Sequence, residues 1–219
     1  DTDVGNEGGY SPHVKSHRQV FDLITQAIES AGYEPGEDIV LGIDAGASEF
    51  YDDESNKYKL PLENKEFDSQ EIIDFYIDLM ETYPLRFLED PLDQEDWSAW
   101  QEFTRDDHIK ASHVRLIGDD LFVTNVTRLK KGIDMGVANT ILIKPNQIGT
   151  LTETFAAVRL AQENNYQVMV SHRSGETSDT TIADLAVAVN ADYIKTGSTS
   201  RGERTAKYNR LLNIEHKLK

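Results

Sequence analysis

Thr140-Ile-Leu-Ile-Lys-Pro-Asn-Gln-Ile-Gly149 decides the fold. A four-residue apolar, β-rich run stops at a lysine, and a proline then opens a new segment. A run this short is a strand buried on both faces, as in a parallel sheet. Five other stretches repeat the design: Ile39–Ile43, Leu85–Leu88, Val114–Ile117, Tyr166–Val170 and Ala191–Ile194. Segments with helical period lie between them. Val20, Phe21, Leu23, Ile24, Ala27 and Ile28 line one helix face, and Gly32 is placed to end that helix. Residues 69–80, 151–162 and 180–189 behave alike. Alternating strand and helix predicts an α/β fold, a parallel sheet with helices outside and right-handed connections. Residues 51–68 break the pattern and predict a small hairpin or loop insertion, with Tyr58, Leu60 and Leu62 alternating. With no sequence repeat and no linker, residues 1–219 read as one domain.

Each run is followed by an ionisable residue: Asp44, Glu89, Asp119, Lys144, His172 and Lys195. Their mean spacing is (195 − 44)/5, about 30 residues, close to one βα unit. Six strands thus deliver such a group to the same end of a parallel sheet, the end where βα barrels carry their active sites. Alone, an Asp or Glu there reads as a helix cap, and the His or either Lys as a structural or surface residue. The joint pattern carries the functional reading. Three carboxylates in a chain with no Cys point to a hard cation, Mg2+ before Zn2+. A lysine near a cation is held toward the neutral amine and can act as a general base. Carboxylates, metal and lysine together suggest proton abstraction next to a carboxylate. Asp90 and Asp120 read as supporting or capping groups. Ser171-His-Arg-Ser-Gly-Glu-Thr177 stands before a helix, and Arg173 and Ser174 with that helix N-terminus suggest a phosphate cradle; an ordinary turn with an exposed Arg is the alternative.

Composition narrows the classes further. The 219 residues carry 22 Lys and Arg against 39 Asp and Glu, a net charge of −17. That argues against nucleic acid as a partner and against a polybasic membrane anchor. No apolar run is long enough to span a membrane. The absence of Cys fits a cytoplasmic location. The chain starts at Asp1 rather than Met and opens on a glycine-rich loop, so it reads as a piece of a longer protein.

Several stretches resemble enolase, in order from residue 1 to about 215: Gly5–Gly9, Ile43–Tyr51, Leu88–Pro91, Gly118–Asn125, Leu142–Gly149, Val170–Thr177 and Ile194–Gly197. The bacterial enzymes look most similar. The resemblance implies the enolase-superfamily TIM-type β/α barrel, here incomplete at about six βα units and without the N-terminal α+β domain. It implies a lyase of glycolysis, phosphopyruvate hydratase, which dehydrates 2-phosphoglycerate to phosphoenolpyruvate with Mg2+. Asp44, Glu89 and Asp119 would bind the metal. Lys144 would take the α-proton, Lys195 would stabilise the growing carboxylate charge, and Glu7 would assist hydroxide departure. Glu89, Asp119, His172, Arg173, Ser174 and Lys195 would contact substrate, Arg173 and Ser174 at its phosphate. A Lys or His base with Mg2+ is the general pattern of that superfamily. Asn6 stands where the family usually has Asp, Gly46 replaces a small side chain, and Gly202 lies where Ser is usual.

Enolases match over their second half only. The first half normally supplies two barrel strands, a mobile-loop Ser for a second Mg2+, and a His and a Glu of the site. The chain alone is therefore expected to show little or no activity, to bind Mg2+ weakly and to expose open strand edges. The intact protein is expected to be a homo-oligomer. Two other readings are another acid dehydratase of the superfamily and a cell-surface or secreted plasminogen-binding module using Lys217 or Lys219. A solvated, frayed terminus explains those lysines more simply.

Overall fold

The computed structural model describes residues 3–111 and 113–219. They form two compact units. One comprises Val14–Leu121 with Lys131–Asn139; the other comprises the N-terminal residues up to His13, Phe122–Lys130 and Thr140–Lys219.

The first unit opens with α1 (His17–Ser30), whose Ser16 hydroxyl accepts from the Gln19 amide. Gly32 ends it as expected. Its φ of +85° lets its own amide reach the Glu29 carbonyl and the Tyr33 amide reach that of Ile28. The apolar face is only partly covered. Phe21, stacked on Tyr83, and Ile28 are buried, whereas Leu23 and Ile24 are more than 40% exposed. Strand β1 (Leu41–Asp44) starts two residues later than expected. The segment read as a hairpin or insertion is a three-stranded antiparallel sheet of β2 (Tyr51–Asp52), β3 (Lys57–Leu60) and β4 (Lys65–Phe67). Next comes α2 (Ser69–Thr82), opened by a capping box of Asp68 and Glu71. Then follow β5 (Leu85–Glu89), α3 (Trp97–Arg105), α4 (Asp107–Ala111) and β6 (Arg115–Gly118). Strands β1, β5 and β6 are parallel and lie in that order, with Asp44 opposite Glu89 and Glu89 opposite Ile117. Tyr76, Leu79, Leu85, Leu88, Trp100 and Phe103 fill the core beneath them. Helix α5 (Val126–Met135) is shared between the units.

The second unit repeats the design. It holds β7 (Thr140–Ile143), α6 (Pro145–Ile148), α7 (Leu151–Glu163), β8 (Gln167–Ser171), α8 (Thr181–Ala188), β9 (Tyr193–Lys195) and α9 (Gly202–Leu218). Strands β7, β8 and β9 are parallel, with Ile143 opposite Val170 and Ser171 opposite Lys195. All four residues of β7 are buried, as a strand covered on both faces must be. The three residues of β9 are only half-buried. Helix α9 continues to Leu218, the Lys219 ammonium pairs with Glu215 at 2.5 Å, and Lys217 and Lys219 are exposed to solvent. Among the described residues no helix is long and apolar enough to cross a membrane.

Candidate active site

In the first unit, strand register sets the carboxylates side by side. Asp44 ends β1 directly opposite Glu89, which ends β5. Asp119 follows β6, two residues past the partner of Glu89. Glu89 and Asp119 are buried and Asp44 is exposed. The turn after β5 is built by Asp90, whose φ is +40°. Its two carboxyl oxygens accept the backbone amides of Asp119 (3.1 Å) and Asp120 (2.8 Å). That is the capping role expected of it. Burial, reinforced by the carboxylates of Asp119, Asp120 and Glu89, pushes Asp90 well above the usual carboxylate range. Gly46 takes φ +53° and heads a short 3-10 turn, a conformation that suits Gly in place of a side chain.

Oxygens of Asp90, Asp119 and Asp120 lie within 4.8 Å of one another. Of the expected ligands Asp44, Glu89 and Asp119, this group contains Asp119; register places the other two on the neighbouring strand ends. An all-oxygen set with buried carboxylates fits a hard divalent cation, which would offset the repulsion of gathering like charges.

In the second unit, Lys144 follows β7 directly and precedes α6, with Pro145 as the first helical residue. The Lys144 amide donates to Thr124 Oγ1 at 2.9 Å, and that hydroxyl donates to Gln147 Oε1 at 3.1 Å. Lys195 ends β9, and its carbonyl accepts the His172 amide at 2.9 Å. Both lysines are half-buried. They flank β8 from either side, so their backbones lie about 10 Å apart at two strand spacings.

The N-terminal loop brings Glu7 to the same end. Ser174 Oγ donates to Glu7 Oε1 at 3.0 Å, and His172 Nε2 stands 3.4 Å from Glu7 Oε2. The Arg173 guanidinium is exposed and donates to Asn146 Oδ1 at 3.1 Å. Helix α8 starts at Thr181, so the loop 171–177 is not itself a helix N-terminus. Glu7, His172 and Ser174 are thus in contact, with Lys195 joined to them through the backbone. His172 is 2% exposed. Burial lowers its pKa; the Arg204 and Lys195 charges act with burial, and those of Glu7 and Glu176 oppose it.

Two residues beneath this loop escaped the sequence reading. Arg204 is fully buried and Lys207 is 1% exposed. Lys207 Nζ donates to Glu176 Oε2 at 2.8 Å and to the carbonyls of Thr177 (2.5 Å) and Glu203 (2.7 Å). Gly197 leaves the space for the Arg204 stem. Its φ is +86°, and a Cβ there would meet Arg204 Cδ at 2.7 Å and the Glu7 carbonyl at 2.8 Å. Gly197→Ala is expected to cost about 2–3 kcal/mol from strain and overpacking together. Thermal unfolding followed by circular dichroism checks this; an unchanged midpoint would show that helix and loop yield freely.

Parallel strands alternating with helices, each with an ionisable group as its last residue or the next one, define an α/β enzyme domain of repeated βα units. Residues 1–219 match the sequence model of the enolase C-terminal TIM barrel domain, and the chain belongs to that family.

Proposed function

We propose that the chain is part of an enzyme of the enolase reaction, the Mg2+-dependent dehydration of 2-phosphoglycerate to phosphoenolpyruvate, and that alone it has little or none of that activity. The single observation carrying this reading is the contact of Glu7 with His172 and Ser174, on the unit in which Lys144 follows β7 and Lys195 ends β9. Acid, base and phosphate donor are then supplied by one half of the chain.

Lys144 takes the proton from the carbon bearing the phosphate, and Lys195 offsets the charge that grows on the carboxylate. Glu7 gives a proton to the departing hydroxide. Ser174 and Arg173 hold the phosphate by charge-assisted hydrogen bonds, the exposed guanidinium moving from Asn146 to do so. Asp44, Glu89 and Asp119 would hold Mg2+, which supplies Lewis-acid stabilisation of developing negative charge. An elimination divided in this way needs base and acid in opposite protonation states, as a Lys and a Glu in different surroundings can provide.

The direct test is to mix the protein with 2-phosphoglycerate and Mg2+ and follow phosphoenolpyruvate by its ultraviolet absorbance. An NMR titration of the labelled chain with 2-phosphoglycerate runs beside it. Slow product formation, or shifts at Lys144, Ser174 and Lys195, supports the proposal, and full turnover would overturn the claim that the chain alone has little activity. Neither product nor shifts would sink it. Reaction of a non-phosphorylated hydroxy acid instead would identify another acid dehydratase of the superfamily.

Mg2+ binding should be visible without substrate. At ten times its dissociation constant the ion is expected to add about 1.4 kcal/mol of stability. A chelator should reverse the rise in unfolding temperature, and Asp119→Asn should abolish it. An equal rise in that variant would place the ion elsewhere.

A further inference from the structure

Arg204 projects from α9 into the second unit and joins three segments. Its Nη1 donates to His172 Nδ1 at 2.7 Å and to the Arg173 carbonyl at 2.8 Å. Its Nη2 donates to the carbonyls of Asn6 (2.9 Å) and Ser174 (2.8 Å). A guanidinium is donor only and stays protonated. The imidazole nitrogen facing it can therefore only accept. The ring proton must then lie on Nε2, which is the nitrogen facing Glu7 Oε2 at 3.4 Å.

We propose that Arg204 is the positioning residue that fixes His172 as the neutral Nε2–H tautomer, so that the ring presents a donor to Glu7 and to whatever occupies that side of the loop. The same guanidinium ties the loop bearing Glu7 to the loop bearing Arg173 and Ser174. A second proton on His172 would set an N–H against the Nη1 donor. The charged groups facing the ring are Glu7 and Glu176, which favour protonation, and Arg204 and Lys195, which oppose it together with burial. Only the purpose of the donor rests on the enolase reading; the tautomer itself does not.

The experiment is long-range proton–nitrogen NMR on the full 15N-labelled chain, with His172→Gln used to assign the signal among six histidines. The expected wild-type result is the Nε2–H pattern, persisting to below the ordinary histidine pKa of about 6.5. An Nδ1–H pattern, or titration at or above about 6.5, overturns the proposal. In Arg204→Met the tautomers should mix and the titration should move to higher pH. Arg204→Lys retains a donor-only cation and should keep the wild-type tautomer. An Arg204→Met chain that is folded by circular dichroism yet keeps the wild-type tautomer and titration overturns the proposal too. If that variant does not fold, the wild-type pattern decides. Turnover enters none of these readouts, so failure of the enolase reading would show separately, in the assay with 2-phosphoglycerate.

Discussion

Lys144→Ala is expected to lose about 10³-fold in reaction rate, within the range that a positioned general base contributes. The side chain is half-buried and follows β7, and the Lys144 backbone amide donates to Thr124 Oγ1. Truncation leaves that backbone contact in place. The most sensitive readout is exchange of the 2-phosphoglycerate C2 proton with deuterium from solvent, followed by NMR at high protein concentration. Exchange reports proton removal without requiring hydroxide to leave. A chain that lacks part of the machinery for the second step still shows it. Exchange at the wild-type rate in Lys144→Ala would assign the base elsewhere, with Lys195 on β9 as the next candidate.

Lys207→Met is expected to cost about 3–5 kcal/mol, the usual range for breaking a buried ion pair from one side. The thioether matches the volume of the lysine stem but leaves Glu176 and two carbonyls without their ammonium. For a domain of this size the unfolding midpoint should fall by about 6–20 °C. The pH dependence separates charge from packing. Burial pushes Glu176 up, but the Lys207 ammonium and the amides of Arg173 and Thr177 outweigh it, and its pKa lies below the ordinary 4.5. A carboxyl with a lowered folded-state pKa stabilises the fold above its unfolded-state value and loses that contribution as pH falls through the folded one. The gap between wild type and Lys207→Met should therefore be full at neutral pH and narrow below about pH 4.5. A gap constant down to pH 3 would make the effect one of packing.

The strands were legible because short β-rich runs, each stopped by an ionisable residue, have few other readings. Thr140–Ile143 is the clearest case. The antiparallel sheet at residues 51–67 was only partly legible: Lys65-Glu-Phe67 is mostly polar, and such a strand leaves little periodic signal. The six strand-end groups could be found by spacing, while Glu7, which lies in a glycine-rich loop rather than at the end of an apolar run, came only through the enolase resemblance. Arg204 and Lys207 were missed for a physical reason. On α9, with its many charged residues, an Arg and a Lys three positions apart read as solvated charge. Their inward direction is set by Gly197 and the loop carbonyls, which no local pattern on the helix encodes.

Arg204 and Asn6 are 198 residues apart in sequence, and Ser174 and Glu7 are 167 apart. Contacts of such separation are slow to form, because a long stretch of chain must be ordered before they can close. During synthesis the Glu7 loop leaves the ribosome long before α9 exists to hold it. It must therefore wait without its anchor while β7, β8 and β9 form behind it. Glu7 is thus made well before the helix that anchors its loop, and a nascent chain stopped before α9 would carry Glu7 without that anchor.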